Sequence, residues 1–347
     1  MAGKQIVSRR RFFQRTSMVA AAAVALPTLV RSSALGLCGS VAPSERITLG
    51  LCGPSPDLAQ GVREFLRYPD ARVVVHSDWN ELVASPEIDA FLMAASGSGS
   101  IPRELAAACA AKDVFCEAAE NLTIAEGRAL ADAMSAGNRL FQAAFAARWL
   151  PAYRRLVEAV RSGQIGDLKT IAIAAPDTVW AARLIDVAQW ANATESIGPV
   201  DIESRVASGF RVRYRYAKGV VMEIRSGCPA IRLEGTSGWI ASDCWGGPLQ
   251  TGRQSVLDFP GVAPLRHSAG LAASLGSPYR NFLDRIKSRQ ISAVSAEVAH
   301  RTATLVNLGG MAARLGRILQ WNPYAENFID DAEADALRGS RASVWMA

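Results

Sequence analysis

The side chains able to do chemistry in this 347-residue chain gather in two short stretches. In the first, the apolar run Val114-Phe115-Cys116 delivers Glu117. Ala118 and Ala119 follow, before Thr123 opens a helix with Glu126 placed for a capping box. A carboxyl at the end of a buried strand can carry a proton; the two alanines after it can neither hold nor donate one. In the second stretch, Val179, Trp180, Arg183 and Asp186 recur at helical spacing. The Arg183 guanidinium stays protonated, so it binds rather than titrates, and it suits a carboxylate or a sugar hydroxyl. Trp180 and Trp190 offer faces on which a sugar could stack. Glu117 and Asp186 are the carboxyls that a non-redox lyase or hydrolase would use. Each residue also has a structural reading: a surface salt bridge for Arg183, domain-junction packing for the tryptophans, a structural rather than catalytic role for Asp186. The histidines, His76, His267 and His300, lack metal-ligand spacing, and no Ser-His-Asp, P-loop or zinc motif occurs. His300 reads as a packed helix residue with a hydrogen-bond partner.

Alternating strands and helices must position the first stretch. Strands are expected at 44–52, 71–75, 88–94, 114–116 and 140–145, with helices at 56–68, 80–84, 102–111 and 123–137 between them. Such βα alternation, with strands apolar throughout, predicts a parallel sheet buried on both faces. After a helix at 150–162 and a strand at 168–175, a helix from Ala182 to Ala193 carries Arg183 and Asp186. Period-two runs then appear at 200–203, 210–216, 220–226, 231–234 and 238–243, with a hairpin turn at Ala217-Lys218-Gly219. This half reads as an open, mostly antiparallel sheet, on which Val212, Tyr214, Tyr216 and Val221 are expected to face outward as an apolar docking surface. Helices at 278–289 and 296–319 close the fold. The stretch 246–277, rich in Gly, Ser and Pro, is the longest irregular segment.

The first 34 residues read as an address. Ser8-Arg9-Arg10-Arg11-Phe12-Phe13 resembles a twin-arginine export signal, followed by an apolar stretch from Met18 to Val30 and small residues at Ser32-Ser33-Ala34. A periplasmic protein without a membrane span is expected, since the apolar stretch is shorter than the ~20 residues a span needs. The net charge of +6 comes from this segment. Without its six basic residues, 32 basic and 32 acidic side chains remain. That neutral balance argues against nucleic acid or anionic lipid as partner. Of the six cysteines, none forms a Cys-x-x-Cys pair. An oxidising compartment would permit a disulfide, whose pairing the sequence leaves open.

The segment Cys116-Glu117-Ala118-Ala119 resembles the Glu-Lys-Pro signature of the Gfo/Idh/MocA oxidoreductase family. Asp186-Val187-Ala188-Gln189-Trp190 resembles that family's Asp-x-Ala-Gln-Trp. Tyr279–Arg289, Glu297–Thr304, Gly316–Pro323 and Asp330–Ala334 are similar to its C-terminal part, chiefly in exported members. The resemblance implies an N-terminal Rossmann-like domain (44–148) and a C-terminal α/β domain (149–330), then a tail (331–347). The closing helices at 278–319 would pack back on the first domain. It also implies a lysine working with an Asp-x-x-x-His pair while a secondary alcohol of a sugar or cyclitol passes a hydride to NAD(P). Here those three positions hold Ala118, Val179 and Arg183.

The resemblance places the cofactor at Gly53, Ser55, Ser96, Gly97 and Glu117, and the substrate at Trp180, Arg183 and Asp186. The phosphate turn is itself altered. Gly-x-Gly-x-x-Gly becomes Gly53-Pro54-Ser55-Pro56-Asp57-Leu58, which loses two glycines and two backbone donors. The ribose loop after Val75 is cut short, as if one βα unit of the first sheet were absent, and Asp78 reads as a helix cap or a ribose carboxylate. The expectation is a catalytically degenerate homologue with no or weak NAD(P) binding. It would bind a carbohydrate-like ligand and pair with a copy of itself or a paralogue through the C-terminal sheet. An active NAD(P)-dependent oxidoreductase is the competing reading.

Overall fold

The computed structural model describes residues 41–52, 58–95, 111–206, 209–258, 277–340 and 345. Contacts divide the chain into Met1–Arg46 and Ile47–Ala347. The second unit holds both sheets. The first 34 residues, expected to be an export signal, and the residues Gly53, Ser55, Ser96 and Gly97 lie outside the described residues.

The first sheet is built from β1 (Ile47–Cys52), β2 (Ala71–His76), β3 (Ala90–Ala94), β4 (Asp113–Glu117) and β5 (Phe141–Ala143), in the order β2-β1-β3-β4-β5. All its pairings are parallel. Leu49, Phe91, Val114 and Phe115 have no exposed surface, as strands covered on both faces require. Short helices α1 (Ala59–Phe65) and α2 (Trp79–Ala84) and the longer α3 (Ile124–Ala136) belong to this half. The expected capping box of α3 forms: Thr123 Oγ1 accepts from Glu126 N–H, and the Glu126 carboxylate accepts from Thr123 N–H. β2 is an edge strand, with Val75 exposed. Taking the third strand out of the doubly wound dinucleotide order 3-2-1-4-5-6 leaves this five-stranded order.

The second half comprises α4 (Pro151–Arg161), β6 (Leu168–Ala175), α5 (Thr178–Asn192), β7 (Asp201–Val206), β8 (Phe210–Arg215), β9 (Val221–Ser226), β10 (Ala230–Gly235), β11 (Trp239–Ser242) and β12 (Leu249–Thr251). Then come α6 (Pro278–Ser288), α7 (Ala296–Leu315), β13 (Leu319–Asn322), β14 (Asn327–Phe328) and α8 (Ala332–Asp335). Nine strands form one sheet, β12-β11-β10-β6-β9-β8-β7-β13-β14. Among the described residues β6 and β9 pair in parallel and the sheet's other pairings are antiparallel.

One expectation is overturned here. Val212 and Tyr214 are fully buried and Tyr216 nearly so, while Val221 is half-buried. Tyr214 donates its hydroxyl hydrogen to Leu305 O of α7 at 2.7 Å. The alternation on β8 is real, but its apolar face turns toward the helices. Arg211, Arg213 and Arg215 hold the outward face. Period-two patterning separates two faces; it does not say which one a helix covers.

Helix bounds also moved. α5 starts four residues early, at Thr178, because Asp177 caps it by accepting from Trp180 N–H at 2.9 Å. α7 stops at Gly316, whose φ of 63° suits glycine. Leu319 therefore begins a strand rather than ending a helix.

The closing helices do pack back on the first sheet. Tyr279 and Phe282 of α6 meet Phe65 and Phe115 edge-on or tilted. Arg280 grips Asp70 through two bonds of 2.8 and 2.9 Å. α7 lies so close to α3 that a Cβ on Gly127 would sit 2.5 Å from His300 Nδ1. Buried His300 meets Glu326 at 3.0 Å, the partner expected for it. Among the described residues no helix is long and apolar enough to cross a membrane.

Candidate functional site

Glu117 ends β4 at the carboxyl edge of the parallel sheet, where doubly wound folds place their ligands. α1 approaches it closely: a Cβ on Gly61 would lie 2.9 Å from Glu117 Oε1 and 3.3 Å from Leu92 Cδ1. The close-packing glycine of this helix is thus Gly61, three residues beyond the Leu58 that the motif count pointed to. From α6, Tyr279 donates its hydroxyl hydrogen to Glu117 Oε1 at 2.9 Å. Burial pushes the Glu117 carboxyl up to about 7, the Glu120 carboxyl adds to the rise, and Tyr279 and Arg183 oppose it. Burial likewise raises Glu120, against a hydrogen bond from its own backbone and the charge of Arg183. Burial also raises the Tyr279 hydroxyl, with Glu117 adding to it.

Between the two carboxyls, Ala118 adopts a left-handed backbone, φ 52° and ψ 36°, which an L-residue with a Cβ rarely takes. Its methyl stands where the family's lysine would be. Across from it, Val179 and Arg183 share a face at the start of α5, and Val179 is 37% exposed. The Arg183 guanidinium lies 4.8 Å from the Trp180 ring centre and 5.9 Å from that of Trp245. Trp245 meets Trp180 edge-on at 5.0 Å and Tyr153 at 5.3 Å. Of the residues expected from the sequence, Arg183 packs on Trp180 and its charge reaches Glu117. Tyr279, Glu120, Trp245 and Tyr153 join them without having been foreseen as site residues. Glu120, three residues past Glu117, was the most legible of these. Trp245 borders a segment read as irregular.

Asp186 does not join them. It has no exposed surface, and both its oxygens accept from Arg148, at 2.7 and 2.8 Å. Arg148 also donates to Glu195 at 2.7 Å and to Ala293 O at 3.0 Å. The expected substrate carboxylate is one half of an internal ion pair.

Of the five residues expected to hold a dinucleotide, Glu117 alone lies among the described residues. Asp78, the ribose candidate, accepts from Asn80 and Glu81 N–H at 2.7 and 3.1 Å as the cap of α2. Gly53 and Ser55, the expected phosphate turn, lie outside the described residues, and α1 is described from Ala59. Among the described residues no group of three or more His, Cys, Asp or Glu could hold a metal ion.

A parallel βα sheet with its site at the carboxyl edge, joined to a broad mixed sheet by returning helices, defines a two-part fold of the dehydrogenase type. A family model described as "Oxidoreductase family, C-terminal alpha/beta domain" matches residues 269–345. Inositol 2-dehydrogenase of Pseudomonas syringae pv. syringae (strain B728a) is 35% identical over 99 residues, 28% of this chain. That alignment spans 30% of the relative's length. The solved structure of GenD2 from gentamicin A biosynthesis, in complex with NAD, has a TM-score of 0.60 at 13% identity. It covers 80% of this chain and 97% of its own. The myo-inositol 2-dehydrogenase of Lactobacillus plantarum has a TM-score of 0.58 at 12% identity, covering 79% of this chain and 99% of its own. The family match thus covers the C-terminal part of the chain, and the chain spans about 30% of the length of the curated relatives it matches.

Proposed function

We propose that this is an exported, catalytically degenerate member of the Gfo/Idh/MocA oxidoreductase family that binds a carbohydrate-like ligand beside Glu117 and Arg183. One observation carries the reading. Where the family's proton-transfer groups would stand, the site presents a methyl, an isopropyl and a guanidinium, at Ala118, Val179 and Arg183. What surrounds them suits a polyol. Trp180 and Trp245 offer apolar faces to sugar C–H groups. Arg183 donates to hydroxyls, and Glu117 with Tyr279 can accept and donate. Calorimetry on the full chain with inositols and hexitols tests this; binding to none of them refutes it. NAD(H) and NADP(H) should bind at roughly millimolar strength, ~4 kcal/mol, and micromolar affinity would count against degeneracy.

The second reading, an active NAD(P)-dependent oxidoreductase on a sugar or cyclitol alcohol, is favoured by Glu117 itself. A carboxyl raised to about 7 is tuned for proton transfer at neutral pH. Nicotinamide absorbance change with a cyclitol panel, abolished by Glu117→Ala, would establish it.

The proposed partner surface is the outward face of the nine-stranded sheet, where Arg211, Arg213 and Arg215 alternate with the acidic residues of β7 and β9. A self-complementary charge pattern suits a second copy or a paralogue. A concentration-independent monomer by light scattering, with no partner retained, would remove it.

A further inference from the structure

Building on the reading of the outward sheet face as a docking surface, we propose that it binds an acidic polysaccharide: a chain of uronic acid residues laid across the strands. Arg205 of β7 stands directly opposite Arg211 of β8, and Arg211 stands directly opposite Arg225 of β9. All three side chains are exposed. Like charges directly opposite on neighbouring strands repel, and here two such pairs lie side by side. Neighbouring strands run about 4.8 Å apart, so the three guanidinium groups share a row roughly 10 Å long. The row continues across Ala174 of β6 and Ala230 of β10, both half-buried. One end of it is cationic, and the other is a flat apolar shelf.

The carboxylates of this face do not balance its arginines. On β7, β8 and β9, Arg213 and Arg215 add to the row of three, against Asp201, Glu203 and Glu223. Five arginines against three carboxylates leave two positive charges in excess. Asp201 pairs with Arg215, Glu203 lies 2.9 Å from Arg205, and Glu223 lies 3.5 Å from Arg211. Beside β9, β6 presents Thr170, Ala172 and Ala174, which carry no charge. Among the undescribed residues the acidic side chains are Asp57 and Glu104 alone, in the connections after β1 and β3 of the other sheet. A pyranose uronate matches both ends of the row. Its carboxylate takes paired bonds from a guanidinium, and the C–H groups of its ring face lie on the alanines. An acidic peptide adding as a strand needs a free sheet edge, whereas β7, β8, β9, β6 and β10 each have neighbours on both sides. Duplex nucleic acid, with one charge per about 1.7 Å of axis, would also set phosphates over Glu203 and Glu223.

The test titrates polygalacturonate, neutral dextran, poly-L-glutamate and duplex DNA into the full chain, at low and at physiological salt. Polygalacturonate should bind, and more weakly as salt rises; dextran should not. Arg211→Gln and Arg225→Gln should each weaken polygalacturonate about tenfold, the order of one hydrogen bond to a charged group. Arg211→Gln removes a charge flanked by two like charges, so its melting temperature should not fall, and lost binding would not reflect unfolding. Arg232→Gln, on the same face and paired with Glu234, should bind as the natural protein does. Dextran binding as tightly as polygalacturonate overturns the charge assignment, and so does unchanged binding in both arginine-row variants. Poly-L-glutamate or duplex DNA binding more tightly overturns the polysaccharide and leaves docking on this face standing. Binding of none of the four overturns the proposal, and light scattering then decides separately whether a second copy uses the face.

Discussion

Two buried carboxyls in this molecule are handled in opposite ways. Asp186, deep in the second half, is met by a guanidinium that satisfies both of its oxygens. Glu117, at the edge of the first sheet, is met by a phenol and by a second buried carboxyl. Withdrawing a charge from water costs several kcal/mol unless a partner compensates it. The fold supplies that partner for Asp186, and there the acid serves architecture. Among the described residues no cation hydrogen-bonds Glu117, whose partner is a neutral phenol. An acid's role follows from whether its environment closes its charge.

The contrast is broken most severely at the closed pair. Asp186→Asn leaves Arg148 buried with half its counter-charge, at a cost of about 3–5 kcal/mol. Thermal unfolding should fall on the order of 10 °C. Glu117→Gln keeps the shape and the Tyr279 hydrogen bond and should not lower the melting temperature at pH 7. Equal losses from the two variants would erase the distinction.

Acidity separates Glu117 from Glu326, a carboxyl held by three cationic side chains, because their shifts have opposite signs. Glu117 is raised from 4.5 to about 7, so its neutral form is favoured in the folded state. Its contribution is fully present below pH 4.5 and is lost as pH rises through about 7, a change of about 3 kcal/mol. Glu326 is lowered from 4.5 to about 2; burial opposes the shift, and His300, Arg128 and Arg301 outweigh it. Its contribution is present above pH 4.5 and is lost as pH falls toward 2. Denaturant midpoints measured from pH 2 to 8 should therefore lose an acidic limb in Glu326→Gln. They should lose the decline between pH 4.5 and 7 in Glu117→Gln. A Glu117→Gln profile matching the natural one would show that this carboxyl is not desolvated.

Much of this arrangement was legible in the sequence, for local reasons. Thr123 and Glu126 announced their capping box, the apolar run to Glu117 announced β4, and the spacing of Val179 and Arg183 placed them on one face. What escaped depends on contacts between distant segments. No local signal says that Arg148 meets Asp186 across 38 positions, or that Tyr279 meets Glu117 across 162. Nor does any local signal turn the apolar face of β8 inward; α7 does that. Asp78 was legible as a cap, and it forms one.

A smaller effect is expected at Ala118. Its φ of 52° places a Cβ where glycine is at ease. Ala118→Gly should be stabilising by up to about 1 kcal/mol, since relief of the left-handed strain exceeds the added chain entropy. A clear loss of stability would mean that the methyl packs usefully against the cleft.

The smallest effect is predicted for the most ambitious change. Ala118→Lys, Val179→Asp and Arg183→His together restore the residue types the family uses for proton transfer. If side chains at these positions were all that separated this protein from an active dehydrogenase, the triple variant would oxidise cyclitols with added NAD. No turnover is expected. Hydride transfer needs the nicotinamide held within van der Waals reach of the substrate carbon, and the three changes restore no cofactor contact. Asp78 stays committed to capping α2. The triple variant also removes Arg183, the cation facing Glu117 and Glu120, so polyol binding should weaken while turnover stays at zero. Appearance of NADH in that variant would move the degeneracy from the whole cleft to three side chains.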